Sequence, residues 1–482
     1  MRLNTIPYRP DSADLFNRIA AEPWAVFLDS GQPRISSGRF DILTARPFLT
    51  LQTRGGLTEI EQAGQVSASN EDPFALLRHY LAVESVASKE VNALPFSIPF
   101  IGGAIGFFAY DLARRIEFLP ARQAGAASAD LDMAIGLYDW AVVVDHAQKL
   151  SWLVSAERDA RTLAMWDELL ALFGDLSLQE EQPPAPEPFQ VGEVSCSGSF
   201  ETYRSAFAQV QRFIQAGDCY QVNLAQRFAA PVSGDHWLGY QLLRRLNPAP
   251  YAAFLNVPGS CVLSSSPERF LSLRAGQVET KPIKGTCPRT TEAKADAALA
   301  RALSQSEKDR AENVMIVDLL RNDLGKVCVP GSVAVPHLFA IESFATVHHL
   351  VSTVTGQLAA GVDAVGLLRA CFPGGSITGA PKLRAMQIID ELEPQRRGVY
   401  CGAIGWLGFN GDMDSNIAIR TLVSVNGQLQ FWAGGGIVAD SQVAAEYREC
   451  FDKAEAMLRL LRECGGKFAG GDFVGGDFTE HG

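Results

Sequence analysis

The chain has 482 residues, 47% hydrophobic and 20% charged, which is enough apolar material for a sizeable core and excludes wholesale disorder. Its 42 Lys and Arg against 54 Asp and Glu give a net charge of −12, so neither nucleic acid nor an anionic membrane is expected as a partner. A small anionic substrate stays compatible, because a few placed cations reverse the field locally.

The N-terminus MRLNTIPYRP lacks the apolar core of a signal peptide. Short β-type runs are predicted at 25–28, 141–144 and 150–154, and a helix over 161–173. The uncharged run 91–110 is about as long as a membrane span, but Pro95, Pro99, Gly102, Gly103 and Gly106 break it, so a buried strand and turn is expected instead. Four Pro within 179–188 mark a stiff exposed linker, so 178–198 divides an N-terminal region, 1–177, from a second region, 199–464. Helices follow at 200–216 (ending at Gly217), 301–324 (ending at Gly325), 381–392 and 441–461. Between them lie strands at 261–265, 269–273, 277–283, 403–409, 416–425 and 429–433. Strands outnumber helices without alternating with them, which predicts an α+β fold of mainly antiparallel sheets. The tail 465–482 carries Gly-Gly-Asp-Phe twice and is expected to be disordered. Nine Cys, all from Cys196 onward and with no C-x-x-C pair, read as reduced thiols filling space in a cytoplasmic protein.

Several residue sets suit chemistry. A hairpin centred on Gly276 is expected to set Glu268 across from Lys284, with Pro282 a warning that the register slips by one. Such a pair is either a surface salt bridge or a nucleophile beside a carboxyl acid; a lysine attacks only as the neutral amine, so burial or nearby cations must lower its pKa. Asp309 and Glu312 stand three apart on one predicted helix. On the last helix Glu446, Glu449 and Lys453 fall within an arc of ~60° at the edge of its apolar side. Each stripe alone fits a solvated face; two helices each presenting carboxylates also suit Mg²⁺. The Gly-rich turns at 374–382 and 434–436 offer backbone N–H groups to an anion without matching a nucleotide motif. Arg420, in an otherwise apolar run, needs an anionic partner, and a substrate carboxylate is one candidate. His348 and His349 fit a core somewhat better than a site.

Taken together, P-I-K-G-T (282–286), D-L-L-R-N-D-L-G (318–325), G-S-I-T-G-A-P-K (375–382), A-I-R-T (418–421), A-G-G-G-I-V (433–438) and E-Y-R-E-C-F-D-K-A (446–454) closely resemble the chorismate-utilising enzymes. That family includes component I of anthranilate synthase and of aminodeoxychorismate synthase, isochorismate synthase and salicylate synthase. The resemblance is dense over 200–460 and extends to Leu28-Asp29-Ser30 and to the Gly102–Asp111 region. It implies a large β-sandwich of mainly antiparallel sheets with surrounding helices, in which both sequence regions form one intertwined body.

The resemblance also implies roles. Lysine in P-I-K-G-T, here Lys284, is similar to the aminodeoxychorismate synthases, where anthranilate synthases carry alanine. Gln221 stands where water-adding members have lysine, which argues against isochorismate and salicylate synthesis. The implied reaction converts chorismate and ammonia to 4-amino-4-deoxychorismate: Lys284 attacks ring C2, Glu268 protonates the departing C4 hydroxyl, and ammonia then expels Lys284. Mg²⁺ is implied on Glu312 and Glu449 with Asp309 and Glu446 in support. Arg420 and Tyr400 are implied to hold the enolpyruvyl carboxylate, Thr378, Gly434, Gly436 and Lys453 to position the substrate, and His349 to sit beside the ring. Ammonia is implied to come from a glutamine amidotransferase subunit, component II, and a separate lyase to complete p-aminobenzoate for folate. Some relatives bind tryptophan, which points to Leu28, Ser30, Tyr220 and Pro250 as lining residues. The rival functions are an anthranilate synthase component I and a non-catalytic amino-acid-sensing subunit.

Overall fold

A computed structural model describes residues 1–32, 38–83, 98–117, 119, 130–174, 186–344 and 347–468. Most of the 179–188 linker and most of the 465–482 tail therefore lie outside the described residues, as does the first part of the 91–110 run. The described residues form two large sheets, of 14 and 12 strands, with helices on the outside. Pairing is antiparallel almost throughout, the exception being Glu193–Cys196 beside Lys467–Phe468. The α+β sandwich expected from the sequence is what the chain adopts.

The pattern of the strands explains the layers. In Trp140–Asp145, Trp140, Val142 and Val144 join the core under the helices, while Ala141 and Val143 join the core between the sheets. A strand apolar on both faces is buried on both, as the period of two requires. Each sheet takes strands from both sides of residues 178–198. Ala25–Asp29 pairs with Tyr251–Val257 in the first sheet, and Gly103–Phe108 pairs with Ala403–Gly408 in the second.

The predicted helix 200–216 is Phe200–Gln215, with Gly217 in the left-handed region at φ 82°. The helices expected at 381–392 and 441–461 are Lys382–Leu392 and Val443–Glu463. Four expectations need correcting. The helix at 161–173 is interrupted at Met165, giving Ala160–Ala164 and Trp166–Gly174. The helix at 301–324 is two helices, Ala293–Gln305 and Glu307–Gly325. Ser306 is extended there, and its hydroxyl accepts from the Asp309 N–H as an N-cap.

The strand at 277–283 stops at Thr280, and Ile283–Pro288 pairs instead with Val347–Gln357, putting Lys284 opposite Leu350. In the hairpin itself Ser272 faces Glu279, one residue off the expected register. Proline at 282 has no N–H to continue the ladder. Finally, the run 416–425 is two strands in different sheets: Met413–Ile417 in the 12-stranded sheet and Thr421–Val425 in the other. Arg420, at φ 52°, turns the corner between them.

A buried ion pair ties the Gly-rich turn to the first sheet. Arg397 pairs with Glu393 at 2.6 Å and donates to the carbonyls of Asn223 (2.9 Å) and Ile377 (3.1 Å). Glu393 in turn accepts from the Ala225 N–H at 2.9 Å. Removing one partner leaves a buried charge and two unpaired carbonyls. Arg397→Ala is expected to cost about 3 kcal/mol of stability, read as a lower urea midpoint; an unchanged midpoint would show that the pair does not hold the turn.

All nine cysteines are free, and no described helix is long and apolar enough to cross a membrane.

Candidate active site

A cavity of about 660 Å³ opens where the Gly-rich strand Gln428–Ile437, the corner at Arg420, the strand Ile283–Pro288 and the helices Glu307–Gly325 and Val443–Glu463 converge. Lys284 and Glu268 both line it. They meet through this cavity rather than across a hairpin ladder, because Lys284 lies on the far side of the Pro282 break.

Burial lowers the Lys284 pKa. Glu312, Glu268 and Glu449 pull it up and Lys453 pushes it down, and the net shift is downward. Burial raises the Glu268 pKa despite a hydrogen bond from the Ser376 hydroxyl to Oε1 at 2.7 Å and the attraction of Lys284 and Lys453. The site therefore holds an amine biased toward its free base and a carboxyl biased toward its acid form. These are the protonation states a nucleophile and a proton donor need.

The carboxylates come from two helices. Asp309 and Glu312 line the cavity from Glu307–Gly325, Glu446 and Glu449 from Val443–Glu463. The Ser441 hydroxyl donates to Glu446 Oε1 at 2.6 Å, and Lys453 pairs with Glu449 at 2.6 Å. Burial raises Glu312 and Glu446. Burial also pushes Glu449 up, but Lys453, Lys308 and Lys284 outweigh it and its pKa is lowered. Gly435 is what lets the acidic pair approach the strand, since a Cβ there would meet Glu446 Oε2 at 3.1 Å and Glu449 Oε1 at 3.3 Å. Among the described residues no three or more His, Cys, Asp or Glu side chains form a ready-made metal cluster. A pair of converging carboxylate oxygens completed by water and substrate oxygens is nevertheless the donor set Mg²⁺ takes.

Another part of the lining is cationic and aromatic. Arg420 is half-buried, and burial lowers its pKa with only Tyr400 opposing, so no carboxylate neutralises it among the described residues. Tyr400 stacks on Trp432 at 6.2 Å with the rings 8° from parallel. His349 Nδ1 is 2.8 Å from the Thr286 hydroxyl. Burial and then Arg420 push its pKa down to about 4, so the ring is neutral at pH 7. An uncompensated guanidinium in an aromatic wall suits a substrate carboxylate.

Of the residues singled out from sequence, Lys284, Glu268, Glu312, Glu449, Asp309, Glu446, Arg420, Tyr400, His349, Gly434, Gly436 and Lys453 line this one cavity. Thr378 does not; its hydroxyl donates to the carbonyls of Gly374 and Gly375 and closes the turn. Gln221 lies behind Gly436 rather than on the lining. His348 is held by Ser343 and Asp296, away from the cavity.

Leu28, Ser30 and Pro250 line a second cavity of about 500 Å³ between the sheets, but Tyr220 does not, being 71% exposed at the surface. Its neighbour Gln221 is the residue whose side chain turns inward. Ser30 and Pro250 are walls of both cavities. Sequence reasoning missed Lys308, Ser376, Trp432 and Asn223, all of which line the first cavity. Ser376 and Lys308 had a signal, inside the Gly-rich motif and directly before Asp309; Trp432 read only as strand core.

Residues 41–459 match the family of chorismate binding enzymes. The chain belongs to this family. Aminodeoxychorismate synthase component 1 of Klebsiella aerogenes is 49% identical to this chorismate-binding enzyme over 462 residues, covering 95% of this chain and 98% of that one. The protein of the same name from Escherichia coli K12 is 46% identical over 464 residues, covering 95% and 98%. Among solved structures, anthranilate synthase component I from Streptococcus pneumoniae TIGR4 shares 33% identity with a TM-score of 0.73, covering 89% of this chain and 94% of that one. For a chorismate-binding enzyme the cavity is well furnished: cationic Arg420, the carboxylates of two helices, and Lys284 with Glu268 all line it.

Proposed function

We propose that this chorismate-binding enzyme is an aminodeoxychorismate synthase component, converting chorismate and ammonia to 4-amino-4-deoxychorismate and water on the route to p-aminobenzoate and folate. The observation that carries this is Lys284, a cavity-lining amine whose pKa is lowered beside a carboxyl whose pKa is raised. The identity of 46–49% to relatives named for that activity supports it.

Arg420 receives the enolpyruvyl carboxylate, with Tyr400 and Trp432 forming the wall beside it. The free amine of Lys284 forms a bond to ring C2, both double bonds of the ring diene shift, and the C4–O bond breaks. Glu268 gives its proton to the departing oxygen, which leaves as water, and takes the extra proton from the Lys284 nitrogen. Ammonia then bonds to C4, the C2–N bond breaks, and Glu268 returns a proton to Lys284. The extra proton on the new amine passes to Glu268, which is restored to its acid form. Neutral His349 lies beside the ring without adding charge.

Glu312 and Glu449, with Asp309 and Glu446 near, would hold Mg²⁺, which when bound offsets the charge of the ring carboxylate. Lys453, now paired with Glu449, is the cation that such an ion would displace or share. Ammonia comes from a glutamine amidotransferase partner, and the reaction takes place in the cytoplasm. The second cavity, walled by Leu28, Ser30 and Pro250, has the size and mixed polarity for a tryptophan.

The test is to incubate the purified chain with chorismate, Mg²⁺ and ammonium chloride and to identify the product by mass, with and without an aminodeoxychorismate lyase. Conversion by the lyase to p-aminobenzoate is the expected result. Direct release of anthranilate would move the chain to tryptophan biosynthesis, and no product at all would favour a non-catalytic subunit.

Within the same assay, Arg420→Ala is expected to raise the KM for chorismate about 100-fold with a smaller change in kcat, because it removes a charge-assisted pair made in the ground state too. An unchanged KM would take Arg420 out of substrate binding.

A further inference from the structure

One of the sequence motifs has no part in the mechanism above. Residues 318–325, Asp-Leu-Leu-Arg-Asn-Asp-Leu-Gly, close the helix Glu307–Gly325, whose first turns carry Asp309 and Glu312 into the first cavity. None of 318–325 lines that cavity. Around the helix, at ~100° per residue, Leu319 and Asp323 fall within ~20° of Glu312, and Asp323 lies about 16 Å further along the axis.

Asp323 is 1% exposed and accepts from two lysines: Lys326 Nζ at 2.9 Å on Oδ1 and Lys382 Nζ at 2.5 Å on Oδ2. The Lys326 side chain is exposed, whereas that of Lys382 is largely shielded from solvent. Lys382 also donates to the Cys371 carbonyl at 2.8 Å. Cys371 ends the helix before the Gly-rich turn, and Lys382 is the last residue of that turn. One ammonium therefore ties both sides of the turn to the helix that carries the cavity carboxylates. Leu319, one turn before Asp323, packs on the turn's middle, because a Cβ at Gly375 would collide with its side chain. The next residue is Ser376, whose hydroxyl donates to Glu268 Oε1 at 2.7 Å.

We propose that Asp323 and Lys382 are positioning residues for the proton donor: their ion pair sets the turn so that Ser376 keeps its hydrogen bond to Glu268. This rests on the acid role proposed above for Glu268. A buried pair of this kind is weak evidence for net stability, since desolvation offsets the attraction, but it admits few geometries. Glu268 is faced by Lys284 from the strand Ile283–Pro288, by the Ile283 N–H, by Lys453 from the helix Val443–Glu463 and by the Ser376 hydroxyl. Of these only Ser376 belongs to the turn. Its bond favours the ionised carboxylate, so losing it moves the Glu268 pKa further up while the two lysines and the Ile283 N–H stay in place.

The test uses the full chain with chorismate, Mg²⁺ and ammonium chloride at constant free ammonia, and reads kcat from neutral to alkaline pH. Ser376→Ala is expected to move the alkaline limb to higher pH. Lys382→Met and Asp323→Asn are expected to move it in the same direction and to lower kcat about tenfold, with the Kd for chorismate by calorimetry within about twofold of the parent. Asp323→Asn keeps the side chain's shape and an acceptor, so it serves if Lys382→Met does not fold. Lys382→Arg, which keeps the cation, is expected to recover most of kcat. Lys382→Met combined with Ser376→Ala is expected to shift the limb no further than Ser376→Ala alone, because both act through one hydrogen bond.

An unmoved alkaline limb in Lys382→Met and Asp323→Asn, whether or not the melting temperature falls, would mark the pair as structural and overturn the proposal while leaving the function standing. So would a double variant whose shift equals the sum of the two single shifts. Parental turnover in Glu268→Gln would instead remove the acid role, and the positioning role with it.

Discussion

Lys284→Ala is expected to lower kcat for 4-amino-4-deoxychorismate formation by about 10³-fold while chorismate still binds. The lysine is a cavity-lining amine whose pKa burial lowers, and in the proposed mechanism alanine leaves no group to bond to ring C2. Its titration also sets the acid side of the pH profile. With the pKa depressed below the usual lysine range, the free amine persists to lower pH than in an exposed lysine, and activity is lost as pH falls through that value. The residual activity of the alanine variant is expected to lose this limb. Chorismate affinity by calorimetry and turnover by product mass separate the outcomes. Parental turnover in the variant would end the covalent role.

Glu268→Gln is expected to cost a comparable factor, about 10³-fold in kcat, because glutamine keeps an acceptor for Ser376 but has no proton to give. The raised pKa of Glu268 places the alkaline limb: the acid form donates below that pKa and is lost as pH rises through it. The same shift has a stability consequence. A carboxyl whose folded-state pKa lies above its unfolded value stabilises the fold fully below the unfolded pKa, and that contribution is lost as pH rises through the folded pKa. Above that range the parent carries a penalised buried carboxylate and the glutamine variant does not. The variant should therefore melt no lower than the parent at pH 8 while turning over far more slowly. A lower melting temperature at pH 8 would assign the lost activity to damaged folding.

How much of this was legible in the sequence varied with the physics involved. The acidic stripes were readable because helix periodicity alone puts Glu446, Glu449 and Lys453 on one side, and the structure keeps them there. The layered antiparallel architecture was readable from strand alternation. The meeting of Lys284 with Glu268 was expected for a reason that does not hold. Pro282 ends the hairpin, and the two converge only because the following strand re-pairs with Val347–Gln357. Arg420 read as a strand residue because a left-handed φ at a sheet-to-sheet corner leaves no mark on an apolar run. Ser306 carried a cap signal, but helical spacing on both sides of it outweighed that signal. Thr378 fell inside a motif whose members share a turn but not a direction, and its hydroxyl faces the turn's own backbone.

The interleaving of the two sheets also sets when this protein can begin to work. Strands made early wait for partners made late: Gly103–Phe108 cannot complete its pairing until Ala403–Gly408 has emerged. The carboxylates of Glu446 and Glu449 arrive later still, on a helix that ends at Glu463. At about 5–20 residues per second of synthesis, the nascent chain spends most of its time on the ribosome with half-built sheets and open edges. A nascent chain cut short before that last helix would have most of the sandwich and no complete site. Until the late strands and helix arrive, the unpaired edges of the early strands are where mispairing and aggregation would start.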